Sequence, residues 1–329
     1  MFLLTADIKV EGYKAFKPHS SSWENGVDNY CNTATVKIPG IAYLLCNDTK
    51  KYDRVDAAQQ FKEGSKIEVF AGYDGVNKSR FKGFIRRINF TVPVELECEG
   101  YSYQLRENKR ITKNYKTGTT VKTILTDLIA GTAIKLFDSN PDITIETQVR
   151  FNNVSGTQVL DWIKEKLLQT VYFKNEVLYC GLRETANMRQ VKYQLGWNVV
   201  QDNELKFSPI REYSEVNIHL AARNKDGTFK NSAIIKNGAV KYKRLNVNID
   251  QATIDRTAEQ ERKILANVGY EGSITAFLEP MIETGDAANI YDKRYPQRTQ
   301  TSFGDSVKGE IGPNGGRQKI KIGNILGTG

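Results

Sequence analysis

Side chains alternate apolar and polar along one stretch after another of the N-terminal third, and the pattern returns in the C-terminal third. A two-residue repeat places the apolar side chains of an extended segment on one face, so such stretches fold as strands with one face on a core. Leu4, Ala6, Ile8 and Val10 alternate with Thr5, Asp7 and Lys9; Ala34, Val36 and Ile38 alternate with Thr33, Thr35 and Lys37 and stop at Pro39-Gly40. Ile67, Val69 and Ala71 run into the turn sequence Gly72-Tyr73-Asp74-Gly75, and the chain returns through Phe81 to Phe90 as the hairpin partner. Val94, Leu96 and Cys98 alternate with Glu95, Glu97 and Glu99, which predicts a strand whose outward face is wholly acidic and meets water or a basic partner. This region reads as a barrel or sandwich.

The period changes near Lys116. After Thr117-Gly118, Thr119 is placed to cap a helix in which Val121, Ile124, Leu125, Leu128 and Ile129 share a face, ending at Gly131. A second helix follows Ser155, with Val159, Leu160, Ile163 and Leu167 on one side, and leads into Val171-Tyr172-Phe173, a turn at Lys174-Asn175-Glu176, and Val177-Leu178-Tyr179. Each unit is a capped helix followed by a short strand, a small α/β insert. From Val191 strands resume: Val216, Ile218 and Leu220 alternate with polar residues, followed by a turn at Asn224-Lys225-Asp226-Gly227. One helix, capped by Asp250 and closed by Gly269, precedes strands at 274–278, 286–291, 306–311 and 318–322 and a Gly-rich tail expected to be mobile.

A chain of 329 residues exceeds one ordinary core and is expected to form two or three domains. The start, Met1-Phe2-Leu3-Leu4-Thr5-Ala6-Asp7, has no basic n-region and predicts no secretory signal. No segment approaches the roughly 20 apolar residues of a membrane span. Cys31, Cys46, Cys98 and Cys180 are scattered and read as buried free thiols. His19 and His219 are too few for a histidine triad or a three-histidine metal site. Gly72 to Ser79 lacks the glycine before Lys78 and the following helix that a phosphate loop needs. Asp138, Asn140 and Asp142 open like a calcium loop, but Ile143 and Val149 replace its glycine and closing glutamate. These absences predict no catalytic, cofactor or metal residues. The net charge of +9 is spread, densest at Arg106, Lys109, Arg110, Lys113 and Lys116 and at Lys241-Tyr242-Lys243-Arg244, and reads as solvated loops or an acidic protein neighbour rather than a nucleic-acid surface. Tyrosine is favoured at wet interfaces, which singles out Gly100-Tyr101-Ser102-Tyr103 and Tyr291 to Tyr295.

Gly83-Phe84-Ile85-Arg86-Arg87-Ile88, then Val94 to Leu105, then Thr117-Gly118-Thr119-Thr120-Val121-Lys122-Thr123-Ile124-Leu125 resembles the late control protein D family, the baseplate hub proteins of contractile phage tails. Ser155 to Tyr179 is similar to that family's second helix-and-hairpin unit, and Ile274 to Pro280, Gly285-Asp286 and Val307 to Ile322 to its last barrel strands. The resemblance extends to related hubs, including the type VI secretion spike and extracellular contractile systems.

The resemblance implies a β-rich α+β chain: two related, tail-tube-like β-barrel domains at 1–105 and 191–329, joined by the α/β insert at 106–190, with the chain free to weave between them. It implies a non-enzymatic homotrimer whose six barrels form a pseudo-hexameric ring between a tail tube protein and a central spike protein, beside other baseplate proteins. DNA passing through that ring would be its sole nucleic-acid contact. The chain ends at Gly329 shortly after its last expected strand, which predicts a spike on a separate protein. The expected location is the baseplate of a virion or injection system, assembled in the bacterial cytoplasm. Two other readings stand beside this one: a tail-associated carbohydrate-binding or cell-wall-degrading protein, from the aromatics and carboxylates, and a nucleic-acid-binding protein, from the charge.

Overall fold

The structure is a computed structural model that describes residues 3–45, 50–56, 61–107, 110–138, 140–183, 188–208, 217–223, 226–231, 240–244, 247–265 and 268–326. Cys46, Lys109, Val216, Asn224 and Lys225 lie outside the described residues.

The N-terminal strands are β1 (Leu4–Val10), β2 (Ser20–Gly26), β3 (Thr33–Ile38), β4 (Ile41–Leu45), β5 (Tyr52–Asp56), β6 (Lys66–Tyr73), β7 (Val76–Asn89) and β8 (Val94–Glu99). Alternation sets their faces: Ile8, Val36, Val69 and Leu96 are buried in one core, each such side chain contributing roughly 1.5–3 kcal/mol. The β6–β7 hairpin closes through Asp74 and Gly75 with φ of 54° and 81°, the two positive values a type I′ turn requires.

The middle of the chain holds α1 (Ser102–Glu107), β9 (Arg110–Tyr115), α2 (Val121–Ile129), β10 (Lys135–Leu136), β11 (Val149–Ser155), α3 (Gly156–Lys166), β12 (Thr170–Lys174) and β13 (Val177–Gly181). α2 is capped by Thr120, not Thr119: the Thr119 hydroxyl is spent on Lys116 O in the preceding turn, and Thr120 accepts from Thr123 N–H at 3.2 Å. α3 has the expected Ser155 cap, completed as a capping box by Gln158. α1 was not foreseen, because six residues carry too little periodicity to read. β13 lies between β10 and β12, and β9 pairs with β11.

The C-terminal part holds β14 (Gln190–Gln194), β15 (Val199–Gln201), β16 (Lys206–Ser208), β17 (Asn217–Arg223), β18 (Phe229–Asn231), β19 (Val240–Arg244), α4 (Gln251–Leu265), β20 (Gly269–Ala276), β21 (Ala287–Tyr291), β22 (Gln300–Gly312) and β23 (Gly315–Ile325). Asp250 caps α4, accepting from Thr253 N–H at 2.8 Å, but Gly269 opens β20 instead of closing the helix. Gly323, Asn324 and Ile325, expected in the tail, continue β23, and residues 327–329 lie outside the described residues.

Thirteen strands form one sheet, ordered β1-β6-β7-β8-β3-β2-β22-β23-β20-β15, with β14 and β16 joined through β21 and β20. The chain is thus a β-rich α+β protein built on a large, mostly antiparallel sheet. Among the described residues that path closes into neither of the expected barrels; the N- and C-terminal strands instead run on into each other where β2 pairs with β22. Three main cores lie against these elements. One belongs to the N-terminal strands, with Leu278 and Ile311 added from the far end of the chain. One belongs to the C-terminal strands. The third fills the middle region and also takes Val247, Ile249, Ile254 and Ala258, so α4 packs with the middle elements as well as against β17.

Candidate functional site

The junction of β2 with β22 holds the two sheet halves in fixed relation. Trp23 on β2 stands opposite Gly309 on β22 and is buried. A Cβ on Gly309 would lie 2.1 Å from Trp23 Cε2, so the indole packs on bare backbone that only glycine leaves free. Arg80 of β7, buried, pairs with Glu279 at 2.7 Å and donates from Nε to Ala71 O at 3.0 Å; Tyr73 Oη accepts from Leu278 N–H at 3.2 Å. Burial pulls the Arg80 guanidinium down, yet arginine stays charged. Burial also raises the Glu279 carboxyl, but Lys78 and Arg80 outweigh it and hold the group below its ordinary value.

Further ion pairs fasten the middle elements to the C-terminal strands. Asp286, buried, accepts from Lys174 at 2.8 Å and from Arg189 at 2.6 Å. Arg183 pairs with Asp305 and lies 5.0 Å from the centroid of the Phe303 ring. Burial raises the Asp305 carboxyl against the pull of Arg183. Breaking such a buried pair on one side costs about 3–5 kcal/mol, so these contacts fix geometry firmly whatever their net contribution.

The polar surface of the sheet carries charges of both signs, paired across strands as Lys37 with Glu95 at 3.4 Å and Lys308 with Glu24 at 4.0 Å, and between strand and loop as Lys319 with Glu204 at 2.5 Å and Lys321 with Asp28 at 3.4 Å. Exposed pairs of this kind contribute about 0–1 kcal/mol each, and their effect here is to leave a mixed face rather than a basic one. β1 at one end and β15 and β16 at the other end the sheet, and strand edges of this kind invite pairing with another chain. β1 is bordered at Ile8 by Phe16, through backbone bonds of 2.7 and 2.9 Å.

Several residues marked from sequence fall elsewhere than expected. Glu99 does not face water: it is fully buried, accepting from Ser102 Oγ at 2.7 Å and pairing with Arg106 at 3.1 Å, because α1 folds over the end of β8. Arg106 also donates to Cys31 Sγ at 3.1 Å. Tyr101 and Tyr103 pack around Phe84, at 5.6 and 5.4 Å between ring centroids. Lys113 pairs with Asp127 at 2.6 Å, and Lys241 to Arg244 lie in β19 beside β17, where His219 stands opposite Tyr242. Tyr291 and Tyr295 remain half exposed, and Tyr295 lines a cleft. Among the described residues no three His, Cys, Asp or Glu side chains are placed to hold a metal, and no helix is long and apolar enough to cross a membrane. Trp23 and Gly309 escaped the sequence reading because Ser20-Ser21-Ser22-Trp23-Glu24-Asn25-Gly26 has neither alternation nor strand-forming composition.

No protein-family model and no curated protein matches the chain. Solved structures share its fold over nearly its whole length. The tail protein from Neisseria meningitidis MC58 is 12% identical with a TM-score of 0.65, covering 98% of this chain and 97% of its own. The 43 kDa tail protein of prophage MuSo2 from Shewanella oneidensis is 10% identical with a TM-score of 0.59, covering 97% and 96%. The E. coli c3393 protein is a component of the type VI secretion system, described as structurally similar to the T4 bacteriophage tail proteins gp27 and gp5. It is 10% identical with a TM-score of 0.57, covering 96% of this chain and 76% of its own. At these identities the likeness is one of fold, shared with tail proteins and a secretion-system component.

Proposed function

We propose that the chain is a structural, non-catalytic subunit of a contractile-tail baseplate hub, or of the equivalent hub of an injection system. Three copies close into a pseudo-hexameric ring that joins a tail tube protein above to a separate central spike protein below. The carrying observation is the match of nearly the whole chain to a tail protein, a prophage tail protein and a secretion-system component. The sheet supports it: two multi-stranded halves stand side by side, locked at the Trp23–Gly309 contact, and among the described residues β1, β15 and β16 are its end strands. In this reading each half contributes one tube-like barrel, completed by packing in the ring, and the middle elements with α4 form the spacer between barrels. The mixed charges of the polar sheet face suit a channel wall that DNA passes without sticking.

Light scattering on the purified protein, alone and with the adjacent tube and spike proteins, tests the reading. A trimer, free or partner-induced, with three-fold rings in negative-stain images and more than about 1,000 Å² buried at each contact is expected. A strict monomer that ignores both partners would sink it.

A further inference from the structure

The N-terminal strands, the middle elements and the C-terminal part of the chain meet around one small recess of about 20 Å³. Asn25 of β2 lines it, as do Lys174 and Asn175 at the end of β12, Thr284 ahead of β21, and the buried Trp23 and Ile282.

Other polar groups around the recess are engaged elsewhere. Arg80 holds Glu279 and donates to Ala71 O, and Lys174 Nζ donates to Asp286 at 2.8 Å. Gln318 Nε2 donates to Phe277 O at 2.8 Å and to Pro280 O at 2.7 Å. Two lining atoms differ: Asn25 Oδ1 and Thr284 Oγ1 are buried and have no hydrogen-bond partner among the described residues. Thr284 is 2% exposed, which leaves its hydroxyl no route to bulk solvent.

The backbone holds both side chains where they are. Asn25 stands opposite Val307 in the β2–β22 ladder. Thr284 lies between Glu283, whose N–H donates to Asp286 Oδ2 at 2.9 Å, and Gly285, whose N–H donates to Gly304 O at 3.0 Å.

A buried polar atom without a partner is costly, and proteins satisfy nearly all of them with protein groups or ordered water. The size of the recess narrows the choice, since a water needs at least about 10–15 Å³ and roughly two to four polar partners. Its chemistry narrows it further. A bare carboxamide oxygen needs a donor, which excludes an anion, and Arg80 and Lys174 beside it disfavour a cation. Water fits that volume and both donates and accepts.

We propose that this recess binds one water molecule, which donates to Asn25 Oδ1 and bonds the Thr284 hydroxyl. It carries a hydrogen-bonded link from β2 of the N-terminal strands to the segment entering β21, and it does so whether or not the chain is a hub.

The full chain is crystallised and its structure solved at a resolution that shows ordered water. One solvent peak about 2.5–3.2 Å from both Thr284 Oγ1 and Asn25 Oδ1 is expected. A double-variant cycle supplies the solution measurement. Thr284→Val and Asn25→Leu keep the outlines of the side chains and remove their polar atoms. Each alone should lower the melting temperature by roughly 2–4 °C, because the remaining buried group loses its share of the bridge. The double variant should melt no lower than the worse single one, since two side chains without a direct bond lose the same water. The proposal is overturned if the peak is missing or touches just one of the two side chains, or if they turn onto protein partners and close the recess. It is likewise overturned if the two losses add in the double variant.

Discussion

Replacing Glu279 by alanine removes the carboxylate that faces the buried Arg80 guanidinium, and its cost follows from the geometry. The Arg80 side chain is 2% exposed, against 33% for Glu279, so the arginine cannot recover water when its partner is lost. Breaking a fully buried pair costs about 3–5 kcal/mol; with one partner a third exposed, and the Arg80 Nε bond to Ala71 kept, about 2–3 kcal/mol is expected. The exposed Lys78, which also loses Glu279, adds only a few tenths of a kcal/mol. For a chain of this size the melting temperature should fall by roughly 3–4 °C, measured by circular dichroism. Converting both partners to methionine in the same chain should return stability to within about 1 kcal/mol of the parent, since the uncompensated charge is then gone. A loss under about 1 °C for Glu279→Ala, or a double variant as damaged as the single one, would refute the view that this buried charge needs its partner.

Gly309→Ala places a methyl group inside the Trp23 ring and should cost about 1–3 kcal/mol or more while shifting Trp23 emission; an unchanged melt would show that the indole moves aside freely. The Glu279 carboxyl is depressed in the folded state, so its stabilisation is present above its ordinary value of 4.5 and lost as pH falls through the folded value. The gap in urea midpoint between the parent and Glu279→Gln should therefore shrink on acidification, and a constant gap would contradict this. Asp305 has the opposite sign: its folded value is raised above 3.8, so its contribution is present below 3.8 and fades as pH rises through the folded value, which Asp305→Asn should abolish. Burial pushes the Cys180 thiol up to about 12, so Cys180 should resist alkylation at neutral pH in the native protein and react once unfolded, as read by peptide mass spectrometry.

The strands β1, β3, β6, β8 and β23 were legible because alternation is a local property: Ile8, Val36, Val69, Leu96 and Ile320 each sit on the face that the period of two assigns them. The hairpin turn at Asp74-Gly75 and the helix cap at Ser155 were legible for the same reason, since both are written within four residues. Glu99 meets a basic partner, Arg106, but its burial was not legible because it is caused by a separate element, α1, which closes over it after the strand has ended.

What the sequence determined by itself was therefore the kind of each element and the side it buries, through the two periods of apolar residues and the turn and cap chemistry between them. Beyond the hairpins β6–β7 and β12–β13, which strands became neighbours was decided only by the folded chain. Ser20 to Gly26 has no pattern that marks a strand, and it forms one because β3 and β22 supply hydrogen bonds on both sides and Gly309 leaves room for Trp23. Pairing across nearly three hundred residues of chain is set by shape and by the desolvation of groups such as Arg80, and neither quantity exists until the partners meet.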